Sequence, residues 1–301
     1  MPEADAMALA PPDPVVTRFA PSPSGELHLG HAYSAILAHD AARHADGRFI
    51  VRIDDIDPGR SRPEHVDAIL ADLAWLGLAW DGDPVFQSHR IDAYAAALDT
   101  LRAGGFAYPC FCTRADIAAE IAASGAAPHG PAASNYPGTC RALPPAEAMA
   151  RCAAEAHCWR LDVARAADAV APLDWHEDDV GTITADPLSA GDIVLARKDA
   201  PSSYHLANVV DDAALGVTLV VRGADLADAT HIQRLLQALL GLPTPAYRHH
   251  ALVIGPDGKR LAKRDRAATL ATLRQAGIDG SALAADLRSK RFPTGYSLAN
   301  A

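Results

Sequence analysis

The chain has 301 residues, of which 50% are hydrophobic and 21% are charged, so its composition excludes a disordered chain and predicts a globular protein. The formal net charge of −10 argues against a nucleic-acid binder whose positive charge is evenly spread. Residues 1–14 lack the basic start and apolar run of a secretory signal, and no apolar stretch reaches the roughly 18 residues of a membrane span. We therefore expect a cytoplasmic protein with a flexible tail over residues 1–14 and no membrane partner.

The first part of the chain alternates between strand and helix patterns. A strand is predicted over residues 15–20, a helix over about 31–45, a strand over 49–53 and a helix over 63–76. This alternation is typical of a parallel sheet wrapped by helices, in which ligands bind beyond the carboxyl ends of the strands. We assign residues 15–105 to the first half of such a Rossmann-type α/β catalytic domain.

The alternation is interrupted over residues 106–190, where residues 124–138 are dense in Gly, Pro, Ala and Ser. We interpret 106–190 as an insertion subdomain. The second half of the catalytic domain is predicted over residues 191–265, and residues 266–301 contain two short helical patterns. Its predicted elements are strands at 193–195, 217–221 and 251–254 and a helix near 230–240.

The most informative segment is residues 18–31, which read as a strand end, a Pro/Gly turn and a helix N-terminus. Backbone N–H groups and the dipole of such a helix suit an ATP phosphate. His28 and His31 can donate hydrogen bonds to the charge that develops as pyrophosphate leaves, and Gly30 allows the nucleotide to approach closely. Taken alone, a His-x-Gly-His pattern is weak, because histidines are common in loops and helix caps.

A glycine-led basic loop follows the predicted strand at 251–254. Residues 258–264 read as Gly-Lys-Arg-Leu-Ala-Lys-Arg, which in isolation is typical of a basic surface turn. The alternative is a loop that closes over ATP and brings Lys263 to the triphosphate. A second basic group, Arg288, Lys290 and Arg291, follows near the C-terminus, and such patches are compatible with phosphate or RNA contacts.

Together, residues 28–31 and 260–264 resemble the two signature motifs of class I aminoacyl-tRNA synthetases. Residues 18–31 and 51–57 are similar to the glutamyl-tRNA synthetase family in particular, and the resemblance runs in order over residues 15–266. It implies a class I synthetase fold, α/β with a Rossmann-type parallel sheet, an inserted zinc-containing subdomain and a short helical tail. It also implies activation of L-glutamate by ATP and Mg²⁺. The implied catalytic residues are His28, His31 and Lys263, which with Gly30 also bind ATP.

The resemblance further implies a glutamate pocket. Its residues are Arg18, Ala20, Ser22, Asp54, Tyr204 and Arg222. Asp54 is expected to receive the α-ammonium group and Arg222 the substrate carboxylate, for which arginine offers planar, bidentate hydrogen bonding. Two positions depart from the family: Asp54 replaces the usual glutamate and Ala262 the usual serine. Both departures leave the reaction type intact and are able to lower its rate or affinity.

The five cysteines of a chain without an export signal do not suggest a disulfide framework. Cys110, Cys112 and Cys140 supply three soft ligands for Zn²⁺, and spacing alone leaves the fourth open among His129, Cys152, Cys158 and water. The family resemblance implies that Tyr136 is the fourth ligand. The zinc is then structural and stabilises the insertion, which has little core of its own.

Within the family, the chain is most similar to the glutamyl-queuosine branch, whose members lack the anticodon-binding domain. Only 38 residues follow Lys263, whereas a separate domain typically needs about 100. This resemblance implies transfer of glutamate to the queuosine base in the anticodon of tRNA(Asp), by a monomer.

Three alternatives are weighed against this function. The first is a truncated synthetase that charges the 3′ end of tRNA(Glu). The second is a catalytically silent, zinc-stabilised RNA-binding protein, which Asp54 and Ala262 favour. It is opposed by the retained residues His28, His31, Lys263 and Arg222. The third, a small nucleotidyltransferase, leaves the glutamate-pocket residues unexplained.

Overall fold

The computed structural model describes residues 14–123, 136–259, 261 and 269–299. Its strands are β1 (Val16–Phe19), β2 (Arg48–Ile53), β3 (Val85–Phe86), β4 (Ala107–Cys110), β5 (Cys158–Leu161), β6 (Asp174–Glu177), β7 (Gly181–Thr184), β8 (Val194–Ala196), β9 (Leu219–Gly223), β10 (Ala246–His250), β11 (Val253–Ile254) and β12 (Ser297–Leu298). Its α-helices are α1 (Leu29–His44), α2 (Pro63–Trp75), α3 (Ile91–Ala103), α4 (Arg114–Ala123), α5 (Pro145–Ala154), α6 (Val163–Asp168), α7 (Tyr204–Ala214), α8 (Ala227–Leu240), α9 (Leu270–Gln275) and α10 (Gly280–Arg288).

Two mainly parallel sheets meet edge to edge. One has the order β1-β2-β3, and the other has the order β7-β6-β10-β9, in which only β7 is antiparallel to its neighbour. They join where Thr218 N donates to Val16 O at 3.0 Å, so that β1 and β9 lie side by side. From this junction the strands follow one another as β1, β2, β3 on one side and as β9, β10, β6, β7 on the other. In such sheets the ligand crevice lies beyond the carboxyl ends of the two central strands.

Buried apolar runs explain why the central elements form. Residues 49–53 of β2 are buried on both faces, as expected for a parallel strand covered by helices. Helix α1 packs on β1, β2 and β9 and buries small side chains there, including Ala32, Ala35 and Ala38, which let the helix approach the sheet closely. Helices α3, α7 and α8 contribute to a second core. No helix among the described residues is both long and apolar enough to cross a membrane.

The middle and end of the chain differ in detail from the sequence patterns. An antiparallel sheet, β4-β5-β8, carries cysteines, whereas β6 and β7 also fall within residues 106–190 but join the sheet of β9 and β10. The limits of the insertion therefore stay a prediction. The strand predicted at 251–254 is reduced to β11, which pairs with β12, and the strand beside β9 is the more polar β10.

Asp72 of α2 is a fully buried carboxylate, and its ion pair is with Arg274 Nη1 at 3.1 Å. Burial raises the pKa of Asp72 to about 6, above its ordinary value of 3.8. The folded state therefore binds a proton more tightly than the unfolded state does. The contribution of Asp72 to the free energy of unfolding should fall as pH rises from about 4 to about 6, by up to about 3 kcal/mol at about 1.4 kcal/mol per pKa unit.

We therefore expect Asp72→Asn to raise the free energy of unfolding at pH 7.5 by about 1–3 kcal/mol, with little change at pH 4. Urea unfolding at the two pH values measures this. Asp99→Asn is the matched control, because Asp99 is exposed and its ion pair with Arg102 lies on the surface. An Asp72→Asn variant that is less stable than the parent at pH 7.5 would contradict the prediction.

Candidate active site

A cavity of about 450 Å³ lies at the junction of β1 and β9. It is bounded by the residues that follow β1, the first turn of α1, the start of α7 and the end of β9. The predicted active-site residues that the structure describes all line it: Arg18, Ala20, Ser22, His28, Gly30, His31, Asp54, Tyr204 and Arg222. Lys263 and Ala262 lie outside the described residues, whereas Leu261 beside them lines the cavity.

Two histidines cap the first turn of α1. His28 Nδ1 accepts a hydrogen bond from Gly30 N at 3.1 Å, and His31 Nδ1 accepts one from His28 N at 3.1 Å. Because each Nδ1 is an acceptor, a neutral ring carries its proton on Nε2. The ring centroids are 3.8 Å apart. A Cβ at position 30 would lie 3.1 Å from the His28 ring, which explains the need for Gly30.

Arg222, at the end of β9, is a buried cation that binds only neutral groups. Its Nε donates to His249 Nε2 at 3.0 Å, and its Nη1 donates to Tyr204 Oη at 3.2 Å. The other acceptors are Gln233 Oε1 at 2.8 Å and Thr230 Oγ1 at 2.7 Å. No ion pair among the described residues involves Arg222, although the residue is only 4% exposed. A buried guanidinium without a carboxylate is unfavourable unless a ligand supplies the anion.

Arg18 and Asp54, in contrast, belong to a buried ionic network. Asp212 Oδ1 accepts from Arg18 Nε at 3.1 Å and from Arg52 Nη1 at 2.7 Å. Arg52 also donates to both oxygens of Asp54, at 2.7 and 3.2 Å. Burial alone would raise the pKa of Asp212, but the charges of Arg18 and Arg52 hold it below its ordinary value. Burial raises the pKa of Asp54 despite the guanidinium of Arg52.

Asn208 in the cavity wall and Asp212 in the ionic network behind it were not predicted from the sequence. Asn208 lines it, and its side chain bridges Arg52 and Asp212. Asn208 lies one helical turn after Tyr204 on α7, and the spacing of four residues was a signal that could have found it. Asp212 lies one turn further along the same helix face and is buried, but no local sequence pattern indicated its contacts with Arg18 and Arg52.

The predicted metal ligands lie together in a separate cluster on the antiparallel sheet and the segment after residue 135. The sulfur atoms of Cys110, Cys112 and Cys140 all lie within 4.8 Å of one another, so this group could hold a metal ion. Tyr136 Oη is 3.5 Å from Cys112 Sγ and accepts from Cys140 N at 2.8 Å. Cys158 pairs with Cys110 across β4 and β5 but is not a member of the three-sulfur group.

The sequence profile described as "tRNA synthetases class I (E and Q), catalytic domain" matches residues 14–291. The chain belongs to this class I synthetase family. A Glutamyl-Q tRNA(Asp) synthetase of Rhodobacter capsulatus is 48% identical over 274 residues, which are 87% of this chain and 96% of the relative. One of Symbiobacterium thermophilum is 47% identical, over 86% of this chain and 81% of the relative.

Two other members of the family are glutamate–tRNA ligases. That of Oleidesulfovibrio alaskensis is 40% identical over 89% of this chain and 55% of its own length. The solved glutamate tRNA ligase of Elizabethkingia meningosepticum, in complex with its amino acid, has a TM-score of 0.71 and 29% identity, covering 84% of this chain. This chain spans about half of that structure, 52%. The predicted class I synthetase fold, mixed α/β with a parallel sheet, is thereby confirmed.

Proposed function

We propose that the protein uses ATP to convert L-glutamate into glutamyl-adenylate and then transfers the glutamate to the queuosine base in the anticodon of tRNA(Asp). In the first step the α-carboxylate of glutamate attacks the α-phosphate of ATP, and pyrophosphate leaves. In the second step a hydroxyl of the queuosine ring attacks the mixed anhydride, and AMP leaves. Mg²⁺ on the ATP phosphates would neutralise part of the charge that develops.

Arg222 carries this proposal. It is a buried, ligand-facing guanidinium that pairs with no carboxylate of the described residues, so an anionic group of the substrate is its natural partner. The side-chain carboxylate of glutamate fits this requirement, whereas the side chain of glutamine ends in an uncharged amide. Arg18 and Asp54 line the same cavity while keeping their contacts with Asp212 and Arg52, and they are the proposed partners of the remaining charged groups of the amino acid.

The two capping histidines are the proposed partners of the phosphates. Their Nδ1 atoms accept the backbone hydrogen bonds that cap α1, so each neutral ring carries its proton on Nε2. These Nε2–H groups are the proposed donors to the phosphates. Helix α1 has no acidic side chain in its first turn, so its N-terminus favours anions. Lys263 is proposed, on the family resemblance alone, to bind the triphosphate.

The acceptor is proposed from the relatives. The chain is 42–48% identical to proteins named Glutamyl-Q tRNA(Asp) synthetase and 40% identical to one named Glutamate–tRNA ligase. The second candidate is therefore charging of tRNA(Glu).

The deciding experiment is transfer of labelled glutamate, with ATP and Mg²⁺, to queuosine-containing tRNA(Asp), to the same tRNA lacking queuosine and to tRNA(Glu). We expect label on the first only. Label on tRNA(Glu) alone would contradict the proposed acceptor and would indicate an enzyme that charges the 3′ end of tRNA(Glu). Label on none, together with no glutamate-dependent exchange of pyrophosphate into ATP, would indicate a binding protein without catalytic activity.

We further propose that the cysteine cluster binds one structural Zn²⁺, with Tyr136 as the fourth ligand. Sulfur atoms bound to one tetrahedral zinc lie roughly 3.8 Å apart, and Cys112 Sγ and Cys140 Sγ are 3.5 Å apart. Cys112→Ser should lower the zinc content from about one ion per chain several-fold and lower the melting temperature by several degrees.

Metal analysis and thermal unfolding measure these effects. Cys152→Ser is the matched control, because Cys152 lies outside the three-sulfur group and should leave the zinc content unchanged. Tyr136→Phe tests the fourth ligand separately. A Cys112→Ser protein that retains a full zinc ion would contradict the proposed site.

A further inference from the structure

Arg222 can be held as observed only if His249 has one particular tautomer. The two residues are direct neighbours across β9 and β10, and Arg222 Nε lies 3.0 Å from His249 Nε2. A guanidinium nitrogen can only donate, so His249 Nε2 must accept and carries no proton. The proton of the neutral imidazole is therefore on Nδ1.

Glu177, at the end of β6, provides the acceptor for that proton. Its Oε2 lies 2.8 Å from His249 Nδ1, and its Oε1 accepts from His249 N at 2.8 Å. The side chains of Glu177 and His249 are each only 8% exposed. Both carboxylate oxygens thus accept from His249, once from the ring and once from the backbone.

We propose that Glu177 and His249 are positioning residues that hold the Arg222 guanidinium in place for the second carboxylate of the substrate. This role rests on the proposed function, because it assumes that Arg222 binds that carboxylate. Glu177 selects the Nδ1–H tautomer, and the bare Nε2 then fixes the direction of Arg222 Nε. This pair of residues orients Arg222 without neutralising its charge, because the imidazole of His249 that contacts the guanidinium is uncharged.

The surrounding charges agree with a neutral His249. Burial and the charge of Arg222 lower the pKa of His249, and Glu177 offsets this in part. Tyr247 and Thr230 also contact the ring. The ring of Tyr247 stacks on it with centroids 5.9 Å apart, and Thr230 Oγ1 is 3.4 Å from Nε2. The adjacent His250 also lowers the pKa of His249.

Glutamine at position 177 would have nearly the same shape but could not perform this role. If its amide N–H₂ faced His249 Nδ1, the imidazole proton would move to Nε2 and oppose Arg222 Nε–H. If its amide oxygen faced Nδ1 instead, the N–H₂ would oppose His249 N. Either orientation sacrifices one hydrogen bond that the carboxylate makes.

The test compares Glu177→Gln, His249→Gln and the double variant. Isothermal titration calorimetry gives the Kd of L-glutamate, and pyrophosphate exchange gives kcat and the KM of ATP. We expect Glu177→Gln to weaken glutamate binding at least tenfold with an unchanged KM for ATP. In His249→Gln the side-chain oxygen can still accept from Arg222, and no tautomer needs to be selected. The double variant should therefore bind glutamate as His249→Gln does.

Glu147→Gln on the exposed face of α5 is the control for the chemical change. Unchanged glutamate binding in Glu177→Gln, a parallel loss of ATP affinity, or additive losses in the double variant would each overturn the positioning role. Absence of glutamate binding by the unaltered protein would overturn the proposed function and this role together. The two failures are therefore distinguishable.

Discussion

Replacing Arg222 with glutamine is expected to lower kcat/KM for glutamate by about two to three orders of magnitude. The guanidinium is buried, lines the cavity and faces only neutral protein acceptors. Truncating one partner of a buried, charged hydrogen bond costs about 2–5 kcal/mol, because the other partner then stays desolvated and unpaired. Pyrophosphate exchange at varied glutamate concentration measures the loss, and the KM of ATP should stay within about twofold of the parent value.

The same substitution should leave the stability of the free protein unchanged or raise it. Without substrate, Arg222 is a buried charge that forms no direct ion pair with a carboxylate of the described residues, and the charge of Asp212 acts on it only at longer range. Glutamine removes that charge and can still form hydrogen bonds with Thr230 or Gln233, the present acceptors of Arg222. Loss of activity together with an unchanged or higher melting temperature would separate a binding role from a structural one.

Two further variants make this prediction specific. Arg222→Lys keeps the charge but loses the planar fork, so we expect an intermediate loss of about tenfold or more. Arg291→Gln removes an arginine that is 67% exposed and paired with Asp286, and it should change activity less than twofold. An Arg222→Gln enzyme that activates glutamate within threefold of the parent would contradict the proposed role. Discrimination between glutamate and glutamine should also narrow in that variant.

The parts of the site that could be predicted from the sequence are those in which local chain geometry and chemistry coincide. Residues 18–31 combine a strand end, a turn and a capped helix within fourteen positions, so that a single segment places Arg18, His28 and His31 at one cavity. The cysteines could be predicted for a related reason, because Cys110 and Cys112 stand two positions apart at the end of β4 and thiols are distinctive metal ligands. Cys140 lies 28 positions beyond Cys112 in the chain.

The remaining parts depend on contacts between segments distant in the chain. Asp212 joins Arg18 and Arg52, which are separated from it by 194 and 160 positions, and no local pattern reports such a junction. Strand β10 was missed for a related reason. Its residues read Ala-Tyr-Arg-His-His, which lacks the apolar run of a buried strand because His249 contacts Arg222 and His250 lines the cavity. Hydrophobic periodicity favoured the apolar residues 251–254 instead.

Replacing His28 with asparagine should separate the two functions of the histidine cap. Asparagine is a favourable N-cap, so it can replace the Nδ1 acceptor that binds Gly30 N. It cannot reach as far as Nε2, and the donor proposed for the phosphates is lost. We expect kcat to fall by about 10²- to 10³-fold, as for loss of one donor to a developing oxyanion, with a melting temperature close to that of the parent.

His28→Gln is the complementary variant. Its amide nitrogen can occupy the region of Nε2 and donate, but it makes a poorer cap for α1. We therefore expect a loss of about 1 kcal/mol in the free energy of unfolding and a smaller loss of kcat than in the asparagine variant. Pyrophosphate exchange and thermal unfolding of both proteins measure the two effects.

The ranking of the two variants in activity and in stability decides the role of His28. If the asparagine protein is the less active and the more stable one, the imidazole serves chemistry through Nε2 and folding through Nδ1. If activity instead follows stability, with the glutamine protein worse in both, His28 contributes only by ordering the first turn of α1. Binding of the phosphates would then be left to the helix N-terminus and to the other cavity groups, and the assignment of His28 as a catalytic residue would be wrong.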